Sequence, residues 1–172
     1  MTAPTLHTMR LTLRAPTSED LGAYQAFYAA SDVKVGKYRG GRSDAEIQQI
    51  LWDDIAHWNT NGFGMFLIVV KESGDIIGGS GIVHPGDWPR HELTWWLMPG
   101  TRGTGYATEA SRAIIDWAYG TLGWPAVETH LRDENLPARR LAKRLGGQKL
   151  MRETFPDGVA RDVFVLPKEQ AA

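Results

Sequence analysis

Alternating and helical spacings of apolar residues divide the chain into short strands and helices. Residues 8–15 alternate apolar and polar side chains, which predicts a strand. Thr17-Ser18-Glu19-Asp20 is a helix-start signal, and Ser43-Asp44-Ala45-Glu46 resembles a capping box that opens a second helix. Asn61-Gly62 then predicts the end of that second helix.

After these helices the spacing changes to that of a hairpin. The pattern predicts further strands at residues 63–71, 76–83, 91–98, 126–132, 148–154 and 161–166, and further helices at 104–122 and 136–145. The order β-α-α-β-β-β-α-β-α-β-β predicts an α+β fold, with a mixed sheet of about seven strands and helices on both faces.

Composition narrows the class of protein. The 172 residues fit one domain over residues 1–172, and the net charge of −1 disfavours a nucleic-acid partner. Without cysteine, we expect no disulfide, no thiolate nucleophile and no cysteine metal site, and we expect no metal cofactor. Apolar runs stay short of the roughly 18 residues that cross a membrane, and the first residues lack a signal-peptide core, so we expect a cytoplasmic protein without a membrane partner.

The candidate chemistry lies between a predicted strand and a predicted helix, at residues 102–108. The start of a helix presents free backbone N–H groups, glycines let a diphosphate approach, and Arg102 adds a positive charge. A glycine-rich connector with a surface arginine is the alternative. A dinucleotide fingerprint would need glycine where Thr108 stands, and no Gly-Lys-Ser/Thr phosphate loop occurs.

A set of motifs then carries a family resemblance over about residues 92–147. They are Trp95-Trp96-Leu97-Met98-Pro99, Arg102 to Ala107, Thr108-Glu109-Ala110, Asn135-Leu136-Pro137-Ala138 and Leu145-Gly146. In this order and spacing the segment resembles the GNAT superfamily of N-acetyltransferases, near the branch that acetylates ribosomal-protein N-terminal alanines. The resemblance implies a central, mostly antiparallel mixed sheet and acetyl-CoA as the acetyl donor.

The resemblance also implies which residues bind the donor. The pantetheine arm would pair with backbone groups of Leu97 and Met98 in a gap between two splayed parallel strands, and Asn135 would lie near it. The diphosphate would lie on N–H groups of residues 102–107, with Lys143 or Arg139 near the adenosine phosphates. The implied set is Leu97, Met98, Arg102, Gly103, Thr104, Gly105, Tyr106, Ala107, Thr108, Asn135, Arg139 and Lys143.

One departure concerns the general acid. Many members carry a tyrosine that protonates the departing thiolate, and this chain has Ala142 there. Water, Tyr106 or Tyr119 would have to serve instead. The Leu-Gly-Phe ending of the family is also Leu145-Gly146-Gly147 here.

The expected reaction is direct acetyl transfer to an amine, with a backbone N–H near Met98 as the oxyanion donor. Our candidate base is Glu92, acting through water, with an exposed strand carboxylate as the alternative. His84 and His91 lie nearby, but His91 and Glu92 point to opposite faces of a strand. Trp88, in the loop before the strand, is a candidate acceptor contact.

The acceptor is expected to be a protein or peptide N-terminal α-amine or a small amine, in a groove formed by residues 18–60 and 84–90. A catalytically weak acyl-CoA-binding module and a nucleotide-binding oxidoreductase are the alternatives. A homodimer is left open.

Overall fold

The computed structural model describes residues 2–168 as eight strands and four α-helices. The strands are β1 (Leu6–His7), β2 (Leu11–Arg14), β3 (Met65–Val70), β4 (Ile76–Val83), β5 (Glu92–Leu97), β6 (Val127–Leu131), β7 (Gln148–Thr154) and β8 (Ala160–Leu166). The helices are α1 (Leu21–Ala30), α2 (Asp44–Asn61), α3 (Tyr106–Gly120) and α4 (Leu136–Arg144), with short 3₁₀ turns at Ser18–Asp20 and Pro99–Thr101.

The strands form two antiparallel sheets rather than one. The first has the order β1-β2-β3-β4-β5 and the second the order β6-β8-β7. The α+β class is confirmed, with one strand more than predicted. That strand, β1, has two residues, too few to show any periodicity in the sequence.

The two sheets meet at β5 and β6, which run side by side in the same direction. At the first half of β5 they are tied by side chains: the Glu128 N–H donates to His91 Nε2 at 3.0 Å, and Thr129 Oγ1 donates to the Leu93 carbonyl at 2.9 Å. Within residues 2–168 no backbone ladder joins β5 to β6. The second half of β5 therefore presents unpaired backbone groups to a gap.

The predicted capping box opens α2. Ser43 Oγ accepts the Glu46 N–H at 3.2 Å, and the Glu46 carboxylate accepts the Ser43 N–H at 3.1 Å. The helix ends at Gly62, whose φ of 76° is left-handed. These end signals fix the length of a helix that forms one wall of the groove described below.

The core lies on both faces of the five-stranded sheet, because β3 is buried on both sides. Phe66 and Ile68 pack with α3, whereas Met65 and Leu67 pack with α1 and α2. This alternation is the period of a strand. The predicted placement of helices on both faces is therefore confirmed for this sheet.

Candidate active site

A groove of about 1710 Å³ crosses the gap between the two sheets. Its walls are the second half of β5, the loop before α3, the start of α4, the loop between α1 and α2, and one face of α2. The groove therefore has two halves. One half is formed by α3, α4 and the loop before α3. The other half is formed by α2 and the loops that flank β5.

The loop before α3 leaves the first turn of that helix without a side-chain cap. The N-cap residue is Gly105, and both it and Gly103 have a left-handed φ of 83°. A Cβ atom at Gly103 would meet nothing within 4 Å, so its backbone faces open space. Free N–H groups at a helix start, with room in front of them, fit an anionic group such as a diphosphate.

Glu109 ties this loop to the N-terminal strands. Its carboxylate accepts the Arg10 N–H at 2.9 Å and Arg10 Nε at 2.7 Å, and Arg10 Nη1 donates to the Thr104 carbonyl at 3.0 Å. Burial opposes ionisation, but hydrogen bonds from Thr8 and Arg10 outweigh it and keep the pKa of Glu109 below its usual value. Glu109 thus holds the loop before α3 against the N-terminal strands, in addition to any favourable interaction with the start of the helix.

Most of the predicted residues line the groove together. They are Glu92, Leu97, Arg102, Gly103, Gly105, Tyr106, Ala107, Thr108 and Asn135. Arg102 also donates to both carboxylate oxygens of the exposed Asp32, at 3.0 and 2.9 Å. Asn135 Oδ1 caps α4 by accepting the Ala138 N–H at 3.3 Å, and the residue also lines the groove.

Met98 does not fit the predicted role of oxyanion donor. Its N–H donates to the Ile77 carbonyl at 2.8 Å, and its own carbonyl accepts the Thr101 N–H at 2.9 Å. Backbone N–H groups alternate between the two edges of an antiparallel strand. The Leu97 N–H therefore points to the unpaired edge of β5, where it is free to donate a hydrogen bond.

The two predicted residues of α4 lie away from the groove. Arg139 binds Asp133 and Asp162, at 3.2 and 3.1 Å, and Lys143 is exposed. The groove face of α4 carries Arg140 and Arg144 instead. These two arginines are one helical turn apart, which is the sequence signal that could have identified them.

Thr104 also lies outside the groove, with its hydroxyl bonded to the Thr101 carbonyl at 3.0 Å. On the other side of the loop, Thr108 Oγ1 accepts Arg144 Nε at 3.3 Å. This bond joins the first turns of α3 to the last turn of α4. The two helices therefore present their positive groups to the same part of the groove.

Ala142 cannot act as the general acid, since its side chain is a methyl group. It is buried with Leu131 and Ala138 and packs near Trp95. Tyr119 is committed to structure: its hydroxyl donates to the Leu166 carbonyl and accepts the Val127 N–H.

Tyr38, in the loop after α1, lines the groove, with its hydroxyl 3.4 Å from Thr94 Oγ1. Burial raises the pKa of Tyr38, so the phenol keeps its proton. No sequence motif marked this tyrosine, because it lies in the loop between helices α1 and α2, outside the motif-bearing residues 92–147.

Glu92 lies at the start of β5 and faces the groove, only a quarter exposed. Burial raises the pKa of its carboxyl to about 8, although the positive charges of Arg161 and Lys37 oppose the rise. The nearest group is His130 Nδ1, 3.5 Å from Glu92 Oε2. Glu92 is thus an enclosed carboxyl that titrates close to neutrality, not an exposed strand carboxylate.

The predicted neighbours of Glu92 have other roles. His91 accepts the Glu128 N–H through Nε2, and burial lowers its pKa, so it is a neutral link between strands. His84 Nε2 lies 2.8 Å from the Trp88 carbonyl and stabilises the loop. Trp88 is half-buried over His130 and Phe155, beside the groove.

Comparison with known proteins identifies the family. Residues 10–148 match the family described as "Acetyltransferase (GNAT) domain". The chain is 30% identical over 163 residues to the N-acetyltransferase p20 of Bacillus licheniformis, covering 92% of this chain and 86% of that one. The crystal structure of an acetyltransferase from Agrobacterium tumefaciens is 34% identical, with a TM-score of 0.84 over 97% of this chain and 96% of that one.

A more distant solved structure shares the fold. RimJ of Mycobacterium smegmatis, solved in complex with CoA-disulfide, has 18% identity and a TM-score of 0.73 over 96% of this chain and 88% of that one. The chain therefore belongs to the GNAT family of acetyltransferases, whose members use acetyl-CoA as acetyl donor. The predicted family and donor are confirmed, and the oxidoreductase alternative is set aside. Across residues 2–168, no helix has the length and apolar character needed to span a membrane.

Proposed function

We propose that this protein transfers an acetyl group from acetyl-CoA directly to an unprotonated primary amine, with Glu92 as the base. The single observation that carries the proposal is the enclosed Glu92 carboxyl, which shares one groove with the uncapped start of α3. One end of the groove fits the phosphates of the donor, and the other holds a group able to take a proton.

The half of the groove formed by α3, α4 and the loop before α3 is the proposed donor half, which would bind acetyl-CoA. It presents positive side chains and backbone N–H groups. Arg102, Arg140 and Arg144 line it together with the left-handed glycines, and these groups would hold the phosphates. The Leu97 N–H, on the unpaired edge of β5, would stabilise the oxyanion that forms during attack. The donor supplies an activated thioester, so no covalent intermediate on the protein is required.

The half of the groove formed by α2 and the loops that flank β5 is the proposed acceptor half, and it favours an amine of low pKa. Keeping a lysine neutral at pH 7 costs roughly 4.6 kcal/mol, whereas an N-terminal α-amine costs only about 1 kcal/mol. A single carboxyl of pKa about 8 is a weak base for a lysine but is well matched to an α-amine. We therefore propose an α-amine, on a peptide N-terminus or a small molecule, as the acceptor.

Tyr38 is the proposed source of the proton for the leaving thiolate. It is a tyrosine of the groove whose hydroxyl is not bound to the backbone, and it lies beside β5. The family's usual tyrosine position carries no acid here, because Ala142 has only a methyl side chain. A Tyr38→Phe variant with lower kcat and unchanged KM for acetyl-CoA would support this role, and an unchanged kcat would remove it.

The test combines calorimetry with an assay of CoA release. We expect micromolar binding of acetyl-CoA, no binding of NAD, and CoA release only when an amine is added. The acceptors are peptide α-amines, amino sugars and polyamines, each compared with its N-acetylated form as a matched control. Binding without amine-dependent release would instead support a CoA-binding module with little turnover.

A further inference from the structure

His130, on β6, is a buried polar side chain with no assigned role. It is 2% exposed, and neither ring nitrogen makes a hydrogen bond of good geometry within the described part of the chain, although the backbone of His91 lies near enough to raise the pKa of the ring. Buried polar groups are almost always paired, because an unpaired one loses its hydration without replacement. An unpaired imidazole on the wall of the groove therefore indicates a functional reason for its position.

The ring is held in one plane by aromatic neighbours. Phe155 stacks on it with ring centroids 4.3 Å apart and planes at 28°, and Trp88 stacks at 5.7 Å and 20°. The Arg161 guanidinium lies over both neighbours, 5.0 Å from the Trp88 ring and 5.3 Å from the Phe155 ring. This packing fixes the direction in which the ring nitrogens point.

One nitrogen points at the proposed base. His130 Nδ1 lies 3.5 Å from Glu92 Oε2, and a shortening of about 0.6 Å would give a hydrogen bond of ordinary length. We propose that His130 is a positioning residue, which donates a hydrogen bond from Nδ1 to the Glu92 carboxylate and holds it toward the acceptor amine. This inference rests on the proposed function, because it assumes that Glu92 is the base.

The charges around the pair favour this division of roles. His130 faces Arg161 on β8, and His91 and Arg90 before β5. Burial and the Arg161 charge lower the pKa of His130 to about 4, so the imidazole remains neutral at working pH and keeps one N–H to donate.

Glu92 has a different set of neighbours. It faces Arg161 and also Lys37 and Tyr38, both from the loop after α1. With a pKa of about 4, the imidazole is a far weaker base than the Glu92 carboxyl with its pKa of about 8, so within this pair the proton of the amine goes to the carboxylate. His130 therefore orients the base and does not replace it.

Two variants of nearly equal shape test the hydrogen bond. His130→Asn keeps a donor near the place of Nδ1, whereas His130→Leu has methyl groups there. We expect His130→Leu to have a kcat about ten- to a hundredfold below that of His130→Asn, the range of a hydrogen bond to a charged group. The KM for acetyl-CoA should be equal in both variants, because the donor half of the groove is untouched.

The pH profile separates positioning from simple packing. Loss of the donor removes a group that stabilises the carboxylate, so the rise of kcat/KM should move to higher pH in His130→Leu and return toward the wild-type position in His130→Asn. Identical profiles and rates in the two variants would overturn the proposal.

A measurement on the unaltered ring covers the case in which a variant does not fold. In protein labelled with ¹⁵N-histidine, the His130 nitrogen signal should shift as Glu92 ionises near pH 8, and the shift should vanish in Glu92→Gln. A His130 signal that is constant across this range would overturn the proposal. If Glu92→Gln keeps the wild-type rate, the proposed base itself fails; if it is inactive while the Asn and Leu variants match, only this inference fails.

Discussion

Replacement of Glu92 by glutamine should have opposite effects on activity and stability. The pKa of Glu92 is raised from 4.5 to about 8 by burial. At pH 7 about one tenth of the carboxyl is therefore ionised, and kcat/KM, expressed per unprotonated amine, should rise about tenfold between pH 7 and pH 9. Glu92→Gln should lower kcat by about 10²- to 10⁴-fold, the usual contribution of a general base, and remove this rise.

The stability effect follows from the same pKa. Between pH 4.5 and 8 the unfolded chain has already lost the Glu92 proton while the folded protein keeps it, so the carboxyl makes stability fall as pH rises. A change from 4.5 to about 8 corresponds to at most about 5 kcal/mol, at about 1.36 kcal/mol per pH unit. Glutamine has no such penalty, so the variant should gain stability over the wild type as pH increases.

Urea unfolding of both proteins at pH 5 and pH 9.5 measures the difference in their free energies of unfolding. The other titrating groups are the same in both proteins, so their contributions cancel in this difference. Glu134→Gln is the matched control, since Glu134 is a carboxylate of the same groove that is 68% exposed. It should leave both the pH profile and the pH dependence of stability unchanged. A stability difference between Glu92→Gln and wild type that is the same at both pH values would refute the raised pKa and the reasoning built on it.

Three further predictions concern the donor half and the fold. Gly105→Asp should abolish acetyl-CoA binding measured by calorimetry, since it puts a negative charge before the start of α3. Gly74→Asp is the control, because Gly74 also has a left-handed φ but lies outside the groove, and this variant should bind acetyl-CoA normally. Arg144→Ala should weaken acetyl-CoA at least fivefold and Lys143→Ala should not, because only Arg144 lines the groove; equal effects would contradict the assignment. Gly81→Ala should destabilise the protein by about 1–3 kcal/mol in thermal unfolding, because its methyl group overlaps main-chain atoms at the start of β3.

The link between Asp32 and Arg102 connects the two halves of the groove. Asp32 lies in the loop after α1, which also carries Lys37 and Tyr38, and Arg102 lies in the loop before α3. The pKa of Asp32 is lowered by its hydrogen bonds with Arg102, so both groups are charged at neutral pH. The pair therefore holds the loop of the acceptor half beside the loop of the donor half.

Local sequence determined the elements and the glycine-containing loop before α3. The capping box at Ser43, the glycines Gly103 and Gly105, and the apolar run of β3 are all local patterns, so they can be read directly from the sequence. The same is true of Leu97, since the strand motif places it at the end of β5 whatever the rest of the fold does.

Errors arose where orientation decides the role. Met98 follows Leu97 directly, and only the pairing of β5 with β4 shows that the Met98 N–H is used by Ile77. Arg139 and Arg140 are adjacent in sequence, and only the packing of α4 shows which of them faces the groove. A shift of one residue on a strand or a helix turns a group away from the site.

Tertiary structure alone decided the chemistry of the acceptor half. The pKa of Glu92 is about 8 because β6, β8 and the loop after α1 enclose its carboxyl, and these segments lie tens of residues away along the chain. His130 meets Glu92 only because β6 lies beside β5 without a backbone ladder. Desolvation and contact between distant segments depend on how the chain packs, and no local pattern records them. The sequence by itself determined the family and its acetyl donor, and the packing decided which carboxyl has a raised pKa.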